Sequence, residues 1–72
     1  MQRIKITIDT DYIKLDSLLK LANLADSGGM AKEIIQEGLV YLNDKPCLMR
    51  GKKIRPGDQV KLEDYLIEVG SE

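Results

Sequence analysis

Residues 27–43 read SGGMAKEIIQEGLVYLN, Ser27 to Asn43, and the rest of the chain is organised around them. Ser27 is a helix N-cap by type, since its hydroxyl can accept a hydrogen bond from one of the first free backbone N–H groups. Ala31, Ile34, Ile35 and Gly38 fall on one helical face, with Lys32 and Gln36 on one flank and Glu33 and Glu37 on the other. Gly38 is the residue most tolerant of the left-handed conformation that ends a helix. Leu39 to Leu42 then reads as a strand, and Asn43 with Asp44 as a turn.

Working outward, Ile4, Ile6 and Ile8 alternate with Arg3, Lys5 and Thr7, the period of a strand with one buried face. Leu15, Leu18, Leu19 and Ala22 form a helical stripe, so a first helix is expected over about residues 14–24, with Leu21 and Leu24 widening its apolar face. The short link Asp26-Ser27-Gly28-Gly29 makes the two helices a packed pair, because neither has enough apolar surface to stand alone. Lys45 to Met49 is expected to return as a hairpin partner, limited by Pro46 to an edge or irregular strand. Arg50 to Lys53 reads as an exposed loop. Arg55-Pro56-Gly57-Asp58 has Pro and Gly at the central positions of a type II turn. Strands at 59–63 and 65–69 close the chain, the last being the expected partner of the first. The expectation is an α+β fold, two packed helices on a small, mostly antiparallel sheet.

At 72 residues one small domain is expected, burying about 60% of the unfolded chain's surface, too little for a deep catalytic cavity. With three Tyr and neither Phe nor Trp, the core must be built from Leu, Ile and Val. Cys47 is the single cysteine and there is no His, which excludes an internal disulfide and the common zinc ligand sets. The alternating N-terminus lacks an apolar run of signal-peptide or membrane-span length, so a cytoplasmic location is expected. No His offers a general base near neutral pH, no glycine-rich nucleotide loop is present, and Ser17, Ser27 and Cys47 lack triad partners. Asp9 with Asp11, or Glu33 with Glu37, reads as a solvated turn or helix face rather than a cation site. The chain is not expected to be an enzyme.

A formal net charge of −1 conceals a segregation. Residues 14–55 carry eight Lys/Arg against five acids, whereas from Pro56 onward one Lys faces five acids. Because screening acts over about 8 Å at physiological salt, a ligand responds to the local patch. Lys45 to Arg55 holds five basic residues and no acid. The ordinary explanation is a loop kept soluble by its charges. A second feature favours a ligand: Gly28 and Gly29 open the second helix without side chains and leave N–H groups accessible at the positive end of its dipole. Lys32 lies one turn further on.

Lys14-Leu15-Asp16 opening a helix, then Ser27, Ala31, Ile35, Gly38, Val40 and Asn43 in this spacing, then Arg55 to Asp58, resemble the RNA-binding domain named after ribosomal small-subunit protein four, the alpha-L motif. The resemblance spans about residues 12–62 and is to the small stand-alone bacterial members. It implies that the helix pair and adjoining loop face structured RNA, with Lys14, Ser27, Lys32 and Asn43 at matching positions. The chain departs from the family pattern at Ser17, where Lys is usual, at Gly28, where a basic residue is common, and at Asp44, where Gly is usual. Arg50, Lys52 and Lys53 are the charges expected to compensate.

The residues expected to contact RNA are therefore Lys14, Ser17, Ser27, Gly28, Gly29, Lys32, Gln36, Asn43, Lys45, Arg50, Lys52 and Lys53. Recognition by phosphate and shape is expected, since duplex RNA hides its base edges in a deep, narrow groove. Tyr41 could add base stacking if exposed, although a plain sheet residue is the simpler reading. The expected partner is structured RNA, ribosomal or transfer RNA, or the ribosome itself, with no cofactor, membrane or small-molecule substrate. The alternatives are a protein-docking module on a ribosome or assembly intermediate and, less favoured, a β-grasp carrier, whose working C-terminal Gly-Gly is not found in Val69-Gly70-Ser71-Glu72.

Overall fold

The computed structural model describes residues Met1 to Glu72. In chain order the elements are β1 (Gln2–Ile8), β2 (Ile13–Lys14), α1 (Leu15–Leu21), α2 (Gly28–Gln36), β3 (Val40–Leu42), β4 (Lys45–Pro46), β5 (Lys53–Ile54), β6 (Gln59–Leu62) and β7 (Tyr65–Ser71). Five strands form one sheet in the order β1-β7-β6-β3-β4, and β2 pairs with β5 in a separate two-stranded ribbon. Within the large sheet only β1 and β7 run parallel, in register from Gln2 opposite Tyr65 to Ile8 opposite Ser71. The fold is the expected α+β arrangement, with the last strand as partner of the first.

The core forms where the alternating strand residues meet the helical stripes. Leu15, Leu18, Leu19, Ile35, Val40, Ile54, Val60 and Ile67 are fully buried, and no polar or charged residue is. Burying each such side chain contributes about 1.5–3 kcal/mol against the entropy of ordering the chain. Ser27 caps α2, its Oγ accepting from the Met30 N–H at 3.1 Å, and Gly38 follows the helix with φ +79°. At the second turn Gly57 takes φ +98°, Arg55 C=O accepts from Asp58 N–H at 3.0 Å, and the Asp58 carboxylate accepts from Arg55 N–H at 2.8 Å. Pro46 sits on β4 at the sheet's edge, where its missing N–H costs no ladder bond.

Two expectations are corrected. The first helix stops at Leu21 rather than near residue 24, because Asn23 turns into the left-handed region at φ +62°; Leu21, in the helix but off the face that Leu15, Leu18 and Leu19 bury, is 54% exposed rather than part of the apolar stripe. The basic segment is only partly a loop, since Lys53 and Ile54 form β5 against Ile13 and Lys14. Ile54, buried to 0% exposure, pins that ribbon to the core. This long-range pairing carries the segment's charges to the start of α1.

Candidate nucleic-acid interface

Each end of the helix pair is finished differently. At α1, the Leu15 N–H donates to Lys52 C=O at 2.9 Å and the Asp16 N–H to Arg50 C=O at 3.1 Å. The first donors of that helix are thereby satisfied by the loop, which is stitched to it. At α2, Ser27 takes the Met30 and Ala31 N–H groups through its hydroxyl and its carbonyl, while the Gly28 and Gly29 N–H groups donate to no protein atom. Gly29 is exposed and Gly28 half-buried, so no carbonyl or carboxylate closes this end.

The ribbon sets two cations side by side. Lys14 and Lys53 are register partners across β2 and β5, and both are exposed. Like charges directly opposite in a ladder are destabilising by a few tenths of a kcal/mol up to about 1 kcal/mol. Lys53 offsets part of this by laying its Nζ 4.9 Å from the centre of the Tyr12 ring, a cation–π contact. An anion seated between the two lysines would relieve the remainder.

Arg50 joins the helix starts. Its Nε and Nη2 both reach Asp16 Oδ2, each at 3.1 Å, in the one ion pair of the molecule. The same Nη2 lies 3.7 Å from where a Cβ on Gly28 would stand. The guanidinium therefore stands over position 28, at ordinary van der Waals distance from where a side chain there would begin. Ser17 is half-buried behind Asp16, whose Oδ1 accepts the Ser17 N–H at 2.7 Å.

Lys32 and Gln36, both exposed, continue from Gly28 at four-residue spacing along one stripe of α2. Lys45 lies on edge strand β4 and shares with Lys52 an open groove of about 470 Å³, which Pro46, Leu48 and Met49 also line. Asn43 borders that groove, but its amide is engaged within the protein: Nδ2 donates to Asp58 Oδ1 at 3.1 Å, and Oδ1 accepts the Gln59 N–H at 3.0 Å. It ties the β3–β4 turn to the β5–β6 turn. Lys14, Gly28, Arg50, Lys52 and Lys53 thus gather around the helix starts, Lys45 is linked to them through the groove, and Asn43 braces the fold. Asp16 and Tyr12, which orient Arg50 and Lys53, were not among the expected site residues; Asp16 belongs to the Lys14-Leu15-Asp16 segment that carries the family resemblance, whereas nothing in the local sequence distinguishes Tyr12 from other turn residues. No group of three or more His, Cys, Asp or Glu side chains is placed to hold a metal ion, and no helix is long and apolar enough to cross a membrane.

A helix pair on a small sheet, with arginine and lysines drawn to the helix starts by a stitched loop, defines the class of small α+β domain that presents a cationic helical surface. The S4 domain model, that of the family named after ribosomal small-subunit protein four, matches residues 6–70, and the chain belongs to this family. It is also 47% identical over 60 residues to a Bacillus subtilis (strain 168) protein named "Probable ribosome maturation protein RlbA", a match covering 83% of this chain and 84% of that relative.

Proposed function

We propose that this chain is a non-catalytic RNA-binding protein of the cytoplasm, which holds structured RNA, ribosomal RNA foremost, by its phosphate backbone and shape. The observation that carries the reading is the pairing of Lys14 with Lys53 across the ribbon, beside the Arg50 guanidinium at the open start of α2. The loop that carries these cations is bonded through its Lys52 and Arg50 carbonyls to the start of α1, and one carboxylate, Asp16, orients Arg50. Phosphates would be seated by the Gly28 and Gly29 N–H groups, by Lys32, and by the Lys14, Arg50, Lys52 and Lys53 side chains. Such contacts position a duplex without reading its bases. Family membership and the name of the B. subtilis relative support a ribosomal RNA as the target.

A second reading, docking on a protein of the ribosome or of an assembly intermediate, draws on Leu48 and Met49, which are 59% and 66% exposed beside the basic loop. Pull-down from lysate with and without ribonuclease separates the two. Loss of the ribosomal partner after digestion is expected, and its retention favours docking.

A further inference from the structure

We propose that the outer face of the large sheet, centred on Tyr41, takes an unpaired base from an RNA strand that leaves the helix-pair surface. The inference rests on the RNA reading above and extends it from backbone to base recognition.

Strand register places Pro46, Tyr41, Lys61, Leu66 and Arg3 in one row across the face opposite the core. Lys5 opposite Glu68 begins the next row. The cations Arg3, Lys5 and Lys61 come from the two ends of the sequence and meet only in the folded sheet, with Glu68 between them and Asp44 and Glu63 beside Lys61 and Tyr41. Tyr41 is 42% exposed, so its ring is available as a stacking platform. Beside it lies an open depression of about 520 Å³ lined by Gly38, Leu39, Tyr41, Asp44, Lys61 and Glu63. That is within the usual span of small-ligand sites, about 300–1,000 Å³.

The chemistry of the lining suits a nucleotide. Aromatic ring and ammonium supply stacking and a phosphate contact, while the Asp44 and Glu63 carboxylates can accept hydrogen bonds from an exocyclic amino group, which adenine, cytosine and guanine carry and uracil lacks. The groove shared by Lys52 and Lys45 is also lined by Asn43 and Pro46, and the depression by the adjoining Asp44 and by Tyr41, the register partner of Pro46. A single strand leaving the helix starts at Lys52 passes Lys45 and rounds edge strand β4 to reach Tyr41. Single-strand binding grooves combine backbone-tracking cations with aromatic platforms in this way.

The test compares an RNA hairpin ending blunt with the same hairpin carrying a short adenosine tail that contains 2-aminopurine. At low salt the tail is expected to tighten binding by about fivefold or more, the range of one base stacked on an aromatic ring, and the 2-aminopurine fluorescence to be quenched. Tyr41→Ala should abolish the gain and the quenching and leave blunt-hairpin binding unchanged, while Tyr41→Phe keeps both. Lys61→Glu, at an exposed position, provides a second variant that should lose the gain. If blunt and tailed hairpins bind equally, or the gain survives Tyr41→Ala and Lys61→Glu, the inference is overturned while the backbone reading stands. If neither hairpin binds, the RNA reading fails and the inference with it.

Discussion

Arg50 and Asp16 are 34 positions apart in the chain, yet the guanidinium Nε and Nη2 both meet one carboxylate oxygen at 3.1 Å. The pair is asymmetric in exposure: the arginine side chain is 47% exposed and the aspartate 14%. Asp16 therefore acts as a sheltered anchor that fixes where an otherwise mobile cation stands, above Gly28 at the start of α2. Half-exposure of the arginine limits the energy through solvent screening, and a coupling of about 0.5–1 kcal/mol is expected from a double-mutant cycle of Asp16→Asn and Arg50→Ala read by urea denaturation. Coupling indistinguishable from zero would mean that the pair does not position Arg50.

Lys53→Glu should separate stability from affinity. It converts the Lys14–Lys53 like-charge pair into an attractive one across the ribbon but removes the Lys53–Tyr12 cation–π contact, effects of similar size and opposite sign, so stability should change by only a few tenths of a kcal/mol. RNA affinity should drop markedly in the same protein, and further with Lys52→Glu added. Thermal melts and filter binding on the two variants check both outcomes, and unchanged RNA binding would leave the cationic ridge without support.

Gly29→Asp makes a parallel case. A Cβ at this position would have only Ser27 Oγ, at 3.8 Å, near it. A carboxylate in the first turn of α2 complements the helix dipole, contributing about 0.3–1 kcal/mol, and replacing a helical glycine removes some backbone entropy cost. The variant should melt higher and bind RNA more weakly, because the negative charge takes the place intended for phosphate. Tighter RNA binding would contradict an anion site here.

Asn43→Ala separates bracing from contact. Both ends of the amide are used within the protein, and the residue sits at φ +49°, a region that alanine tolerates less well than asparagine. Each lost hydrogen bond costs about 0.5–1.5 kcal/mol. The melting temperature should fall, while RNA affinity measured well below it stays within about twofold of the parent, far short of the 1.4 kcal/mol that a tenfold loss represents. A loss of affinity without loss of stability would return Asn43 to the contact surface.

Ile54→Ala should cost about 2–5 kcal/mol, as for other fully buried large-to-small changes, and could unfold a domain this small. Circular dichroism in urea measures it directly. A loss below about 1 kcal/mol would show that the ribbon is not pinned to the core through this residue.

Much of this architecture is legible locally, because its signals are local. Ser27 capping α2, Gly38 ending it, the Ile4-Ile6-Ile8 alternation and the Pro56-Gly57 turn each depend on neighbouring residues, and each is found as read. The end of α1 was less legible: Leu21 and Leu24 prolong the apolar stripe, but Asn23 adopts a positive φ that helical periodicity does not register. The ribbon was not legible, since β2 and β5 contribute two residues each, too few for a pattern, and pair across some forty positions. The arrangement of the site depends on that pairing. The basic run could be seen in the sequence, but not that its Arg50 would be carried to the position where Gly28 lacks a side chain, nor that Lys61 would join Arg3 and Lys5 on the far face of the sheet.

The most direct test is the affinity for a ribosomal RNA fragment measured against salt concentration. Neutralising about four phosphates releases their counterions, so the logarithm of the binding constant should fall with the logarithm of salt at a slope of roughly −3, using about 0.7 per phosphate, and Arg50→Ala should make that slope shallower by about 0.7. A slope near zero, or no binding at the lowest salt, would show that the lysines and arginine at the helix starts do not hold an RNA backbone.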